Sequence, residues 1–458
     1  MLRVLSFLFF LLGSVGFNLG DAFGNPSDGS PGGAPAKPPH IVFFLVDDLG
    51  YADCGFNGGK DIHTPSMDRL AREGAVLEGL YVQPVCSPTR AALMTGRYPT
   101  RTGVYSIVTP HARWGLPLRE RTLAQALKQA GYETAITGKW HLGEFEPAYR
   151  PTARGFDHQY GHYFGAIDYF THLRQSSHDW YRDDREVRED GYSTHLLARE
   201  ACRLIEGRQK EKPFFLYLPF NGIHTPHQVP EEYTAPYRSL SGVRQKIAGM
   251  LSAVDEAVGQ VMQALEKAGM RENTLVVFST DNGGPPATHN GPLRGWKGST
   301  YEGGVRGCGF VNWPGRVPAG TRIREVMHTV DWYPTLVRLA GGSLEQATPL
   351  DGRDVWPMLT RGEKSPHDAV LLAAARDVVA VRMGNWKLIR NPVPDRGKAE
   401  GGKWQKGYAL YDLSADESER EDLSAREPER LREMKARLED MLKDAVAPGH
   451  EAQTPEAP

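Results

Sequence analysis

Three runs of this chain are apolar without polar alternation: 40–46 (HIVFFLV), 213–219 (PFFLYLP) and 274–280 (TLVVFST). Each has strand length and is rich in β-branched and aromatic residues. A strand with one wet face alternates apolar and polar positions. A strand without that alternation is covered on both faces, as in a parallel sheet. Helical patterns lie between these runs. Thr64-Pro65 supplies an N-cap and a first-turn proline, Met67, Leu70 and Ala71 form a stripe, and Gly74 ends it. Thr122 caps a second helix with Leu123, Ala126, Leu127 and Ala130 on one face. A strand follows at 132–137. Residues 245–267 carry a long helical stripe: Ile247, Met250, Leu251, Val254, Val258, Val261 and Leu265. Strands alternating with helices predict an α/β fold with a mostly parallel central sheet flanked by helices.

The pattern changes near Trp356. Short strands are expected at 378–382, 386–390 and 409–413. A charged helix at 427–444 has Leu431, Met434, Leu438 and Met441 on one face. The expected layout is a catalytic domain over 39–355, then a small C-terminal antiparallel sheet with a helix over 356–446, then a flexible tail over 447–458. The N-terminus is of another kind. Arg3 precedes an apolar core from Val4 to Leu12, and small residues close it at Gly20-Asp21-Ala22. This is the layout of a secretory signal peptide over 1–22. The alternative, a membrane anchor, needs an apolar core of about 20 residues, and this one is shorter. Residues 23–38 are rich in Gly, Pro, Ser and Ala and read as a disordered tether. Export after cleavage, with no stable membrane anchor, is the expected localisation.

Composition excludes several classes. With 54 Lys and Arg against 56 Asp and Glu, bulk charge gives no support for nucleic-acid binding. Four cysteines in 458 residues are too few for a disulfide scaffold. Apart from Cys86 they are Cys54, Cys202 and Cys308, which allow at most one pair among themselves.

Polar residues collect just after four candidate strands: Asp47-Asp48, Lys139 and His141, Asn221 and His224, and Asp281-Asn282. In open parallel sheets, ligands bind beyond the carboxyl ends of the strands. Asp47, Asp48, Asp281 and the Asn282 amide are hard oxygen donors, suited to calcium or magnesium rather than zinc. The segment Cys86-Ser87-Pro88-Thr89-Arg90 is followed by Ala-Ala-Leu-Met and Thr95-Gly96-Arg97. Pro88 fits a first helical turn, which puts Cys86 at a helix N-terminus, where anions are favoured. Arg90 lies one turn on, within reach of the same anion.

These twelve residues resemble the type I sulfatase signature, Cys-x-Pro-x-Arg followed by Thr-Gly-Arg. The resemblance extends to DDLG at 47–50, GKWHLG at 138–143, DNGG at 281–284, KGSTYEGGVRG at 297–307, and the WKLI and LYDL segments near the C-terminus. It implies an alkaline-phosphatase-like core. It also implies that Cys86 is converted by a formylglycine-generating maturation enzyme to Cα-formylglycine. As the hydrate, that group attacks sulfur and later expels sulfate. By matched positions, Asp47, Asp48, Cys86, Asp281 and Asn282 hold one calcium, and Asp281 also matches the base. Arg90 steadies the site's charge, Lys139 and Lys297 grip sulfate, His141 assists collapse of the intermediate, and His224 with Lys297 protonates the leaving alcohol.

Within the family, PPHIVFFLVDDLG, GRYPTRTG, EKPFFLYL, VPEEY and EGGVRG are most similar to arylsulfatase B, the N-acetylgalactosamine-4-sulfatase. The expected substrate is a sulfated sugar or glycan. Specificity is expected from rim loops at 104–117 and 156–180, which do not match that enzyme. In them Tyr105, His111, Trp114, His162 and Trp180 suit either sugar contact or packing. The mixed-charge run 182–190 reads as a solvated loop, and His289 carries no motif. Two alternatives stay open: a phosphate or phosphonate ester hydrolase of the same superfamily, and a non-catalytic glycan-binding relative.

Overall fold

The computed structural model describes residues 37–208, 211–392, 406–449 and 451. The expected signal peptide, nearly all of the tether and the last seven residues lie outside the described residues. A ten-stranded sheet forms the centre. Its strands are β1 (His40–Val46), β2 (Ala75–Leu77), β3 (Glu133–Lys139), β4 (His158–His162), β5 (Tyr181–Arg182), β6 (Arg185–Glu186), β7 (Phe214–Pro219), β8 (Thr274–Thr280), β9 (Gly309–Asn312) and β10 (Thr321–Ile323). Their spatial order is β10-β2-β9-β8-β1-β7-β3-β4-β5-β6. The middle five, β8-β1-β7-β3-β4, are all parallel.

β1 shows why its sequence lacks alternation. Val42, Phe44 and Val46 enter one core and Ile41, Phe43 and Leu45 the other, all at most 1% exposed. On the first face lie α1 (Pro65–Arg72), α4 (Ser193–Gly207) and α5 (Gly242–Lys267). On the second lie α2 (Cys86–Thr95), α3 (Leu123–Gln129) and α6 (Trp332–Leu339). The predicted Thr122 cap is present as a reciprocal box, with Gln125 N–H on Thr122 Oγ1 and Thr122 N–H on Gln125 Oε1.

Two outer parts of the sheet were not anticipated. β9 runs antiparallel to β8 and β2, and β5 and β6 form an antiparallel edge. The latter occupy part of the charge run expected to be a solvated loop. The C-terminal sheet has one strand more than expected: β11 (Val370–Ala373), β12 (Val379–Met383), β13 (Trp386–Arg390) and β14 (Tyr408–Asp412), all antiparallel, with α7 (Pro428–Leu442) against it. Beyond α7 the chain returns to the large domain, where Val446 N–H bonds Thr100 O and Gly449 N–H bonds Gly103 O. All four cysteines are free thiols. Among the described residues, no helix is long and apolar enough to cross a membrane.

Candidate active site

The carboxyl ends of four adjacent strands, β8, β1, β7 and β3, bring together every residue singled out at the strand ends. Asp47 and Asp48 leave β1, with Asp48 in the left-handed region at φ 64°. Asp281 and Asn282 leave β8. The Asp48 N–H reaches Asp281 Oδ1 at 3.3 Å, and Asn282 Nδ2 donates to Asp48 Oδ1 at 2.9 Å. Cys86 is the first residue of α2, as expected, and its thiol donates to Asp47 Oδ1 at 3.4 Å. Ser87 fixes that turn by donating to His141 O at 2.8 Å and accepting from Val108 N–H at 3.1 Å.

Cations interleave with these acids. Lys139 Nζ contacts Asp47 Oδ2, and Lys297 Nζ lies 2.6 Å from Asp48 Oδ1. Lys297 is held on a turn whose next residue, Gly298, donates to Pro84 O at 2.8 Å, just before Cys86. Arg90 is fully buried. Its Nε and Nη2 meet Asp281 Oδ2 at 3.2 and 2.9 Å, and its Nη1 donates to Lys139 O at 2.8 Å. The guanidinium therefore braces the Asp281 carboxylate and the β3 end.

Burial raises the carboxyl pKa of Asp47, but Lys139, His224 and Arg90 outweigh it and hold the group below its ordinary value. Asp281 is pushed up by burial and by the charge of Asp47. Burial first, then Asp47, raise the Cys86 thiol well above its usual range. A thiol so held is not an activated nucleophile. His141, also left-handed at φ 60°, is buried against Phe164 with neither ring nitrogen hydrogen-bonded. Gly165 permits this, because a Cβ there would lie 2.5 Å from the ring. Burial and the neighbouring Lys139 and Arg90 lower the His141 pKa far enough to keep the ring neutral. His224, partly exposed, puts Nε2 3.7 Å from Asp48 Oδ2.

Asp47, Asp48, Cys86 and His224 offer ligand atoms that lie within 4.8 Å of one another. Asn282 Oδ1 is buried without a hydrogen-bond partner. An orphaned amide oxygen beside three carboxylates fits a hard divalent cation such as calcium or magnesium.

The rim differs from expectation. Tyr105, Trp114, His162 and Trp180 are buried, between 0% and 8% exposed, and so are packing residues; of the five, His111 is exposed. Trp180 stacks with both His162 and His172. Asn221 is also structural, its amide paired with Ser193 Oγ. Sequence reasoning missed Tyr169, whose hydroxyl reaches the turn carrying His224. It lies in a loop without a motif, so no sequence signal marked it.

A doubly covered parallel sheet with an acid-and-lysine cluster at its carboxyl edge is an α/β architecture with a polar, charged site at its strand ends. The sulfatase family profile matches residues 39–343, so the chain belongs to the sulfatase family and is a sulfuric ester hydrolase with an alkaline-phosphatase-like fold. It is 37% identical to mouse (Mus musculus) arylsulfatase J over 91% of this chain and 77% of that one. It is 32% identical to mouse N-acetylgalactosamine-6-sulfatase, over 78% and 72%. The crystal structure of Ps i-CgsB with k-i-k-neocarrahexaose is similar at TM-score 0.83, with 35% identity over 90% of this chain and 94% of that one. These relatives do not single out one member of the family.

Proposed function

We propose that the protein is an exported, calcium-dependent sulfatase of a sulfated glycan, working through Cα-formylglycine made from Cys86 by a maturation enzyme. The observation that carries this reading is the convergence of Cys86 with Asp47, Asp48 and His224 in one small cluster, flanked by Lys139 and Lys297. The buried, protonated thiol supports it too, since that thiol needs conversion before it serves as a nucleophile. The glycan class is supported by Ps i-CgsB, which was crystallised with k-i-k-neocarrahexaose.

Asp47, Asp48, Asp281 and Asn282, with residue 86, are the proposed calcium ligands. Bound there, the ion supplies charge compensation for sulfate oxygens, and formylglycine supplies covalent chemistry at residue 86. The chain's own groups do the rest. Lys139 and Lys297 bind the anionic ester, and Arg90 keeps Asp47 and Asp281 apart from one another in charge. Neutral His141 accepts a proton at a ring nitrogen during sulfate release. The His224 Nδ1 lies 2.7 Å from Thr225 O, which only accepts, so Nδ1 carries a hydrogen. It is therefore as the imidazolium, with a second hydrogen on Nε2, that His224 delivers a proton to the leaving oxygen. A sugar alkoxide is a poor leaving group, so this donation matters to the rate.

The test is sulfate release by protein co-produced with a formylglycine-generating enzyme, on N-acetylgalactosamine 4-sulfate, its 6-sulfate isomer and intact sulfated chains, with and without a calcium chelator. Release that the chelator abolishes is expected from at least one of them. Turnover of phosphate esters with none of sulfated glycans contradicts the reading.

A further inference from the structure

His224 sits on the turn 221–224 that leaves β7. The turn is tied to β1 by Asp47 N–H on Gly222 O at 2.9 Å and Ile223 N–H on Asp47 O at 2.8 Å. Its outer side is held by another element. The Tyr169 hydroxyl lies 2.6 Å from Asn221 O and 2.7 Å from His224 O, so one phenol spans both ends of the turn. Both partners are carbonyls and can only accept, so Tyr169 is the donor and its single hydroxyl hydrogen is shared between them.

Tyr169 is itself fixed. It is 1% exposed and stacks on Tyr192 at 5.6 Å. Its N–H bonds Gln228 Oε1 at 2.9 Å, and its carbonyl accepts Ser193 N–H at 2.8 Å. Gln228 Nε2 in turn donates to Asp168 Oδ2 at 2.6 Å. Residues 168–169 thus grip the chain on both sides of His224, at 221–224 and at 228. The His224 ring is bonded to its own neighbouring carbonyl, so the backbone at 224–225 sets where Nε2 points.

We propose that Tyr169 is a positioning residue that aims His224 at the leaving oxygen, with Asp168 and Gln228 as its second anchor. This rests on the reading of His224 as the proton donor. It makes the rim loop between β4 and β5, which carries no catalytic motif, a determinant of how poor a leaving group the enzyme tolerates.

The experiment compares kcat and KM of the matured wild type, Tyr169→Phe, Gln228→Ala and His224→Ala on 4-nitrophenyl, phenyl and 4-methoxyphenyl sulfate. Proton donation matters more as the leaving phenol becomes less acidic. His224→Ala should therefore lose progressively more kcat along that series. Tyr169→Phe should show the same grading, with a loss on the methoxyphenyl ester about tenfold greater than on the nitrophenyl ester, carried by kcat rather than KM. Gln228→Ala should show it more weakly. Thermal melts confirm that each variant is folded, and Gln228→Ala serves if Tyr169→Phe is not. Graded loss in His224→Ala with equal losses across the series in Tyr169→Phe and Gln228→Ala overturns the positioning role and leaves the acid. Equal losses in His224→Ala overturn the acid reading and the positioning role with it.

Discussion

Cys86 occupies an environment that works against a thiol nucleophile. A helix N-terminus favours an anion, yet Asp47 lies 3.4 Å from the sulfur and burial withdraws water from it. Asn282 is the complementary case, since one side of its amide is bonded to Asp48 while its oxygen has no partner. If calcium fills that place, it binds only the folded chain and raises its stability. Added calcium should raise the thermal midpoint of the wild type and should not raise that of Asp48→Asn. Equal rises in both would place the ion elsewhere. These residues were legible in the sequence because they stand in fixed order behind strands with no polar alternation. The bond from Arg90 to Lys139 O was not, because spacing along the chain does not show which distant carbonyl a guanidinium reaches.

At the scale of elements, the buried strands were readable and the sheet edges were not. β1 and β8 coincide with their apolar runs, but β5 and β6 have two residues each and spell a charged segment. Arg182 pairs with Glu200 at 2.5 Å and stacks over Tyr160, contacts with residues distant in sequence. The rim aromatics failed for a related reason: a loop aromatic has no periodicity that tells packing from exposure. Asp179 shows what holds that rim. It accepts the N–H groups of Tyr163 and Phe164 at 3.0 and 2.9 Å, next to the Phe164 ring that packs on His141. Burial pushes its pKa up to about 6, from an ordinary value near 4. The folded chain therefore keeps a proton that the unfolded chain has lost between those values. Stability falls as the pH rises through that window, by about 3 kcal/mol for this group alone. Denaturant titrations at pH 4 and pH 6 should show this fall in the wild type and a smaller one in Asp179→Asn. An unchanged fall would assign it to other groups.

At the scale of the molecule, the C-terminal sheet is joined to the catalytic domain by a buried ionic cluster. Lys387 Nζ lies 2.8 Å from both Glu302 Oε1 and Glu419 Oε1, with all three side chains at 0% exposure. Tyr81 and Arg306 complete the surroundings of Glu302. The KGSTYEGGVRG and WKLI segments thus meet through Glu302 and Lys387, a contact that neither segment reveals alone. Gln83 makes a second join, accepting Ala373 N–H at 2.8 Å and donating to Leu371 O at 3.2 Å, three residues before Cys86. Replacing Lys387 with Ala takes the buried Glu419 carboxylate's cation away, while Glu302 keeps Arg306 and Tyr81. The replacement should lower unfolding free energy by about 3–5 kcal/mol in denaturant titrations; a change under about 1 kcal/mol would mean that the cluster is already compensated.

The whole molecule presents residue 86 at the meeting point of four strand ends, and the central claim is that sulfate release depends on that residue in its converted form. The most direct measurement is inorganic sulfate released from a sulfated glycan panel by three preparations: protein made with the formylglycine-generating enzyme, protein made without it, and Cys86→Ala made with it. Release by the first alone, with all three giving the same circular dichroism spectrum, is the predicted result. Release by Cys86→Ala at the rate of the matured protein would contradict it.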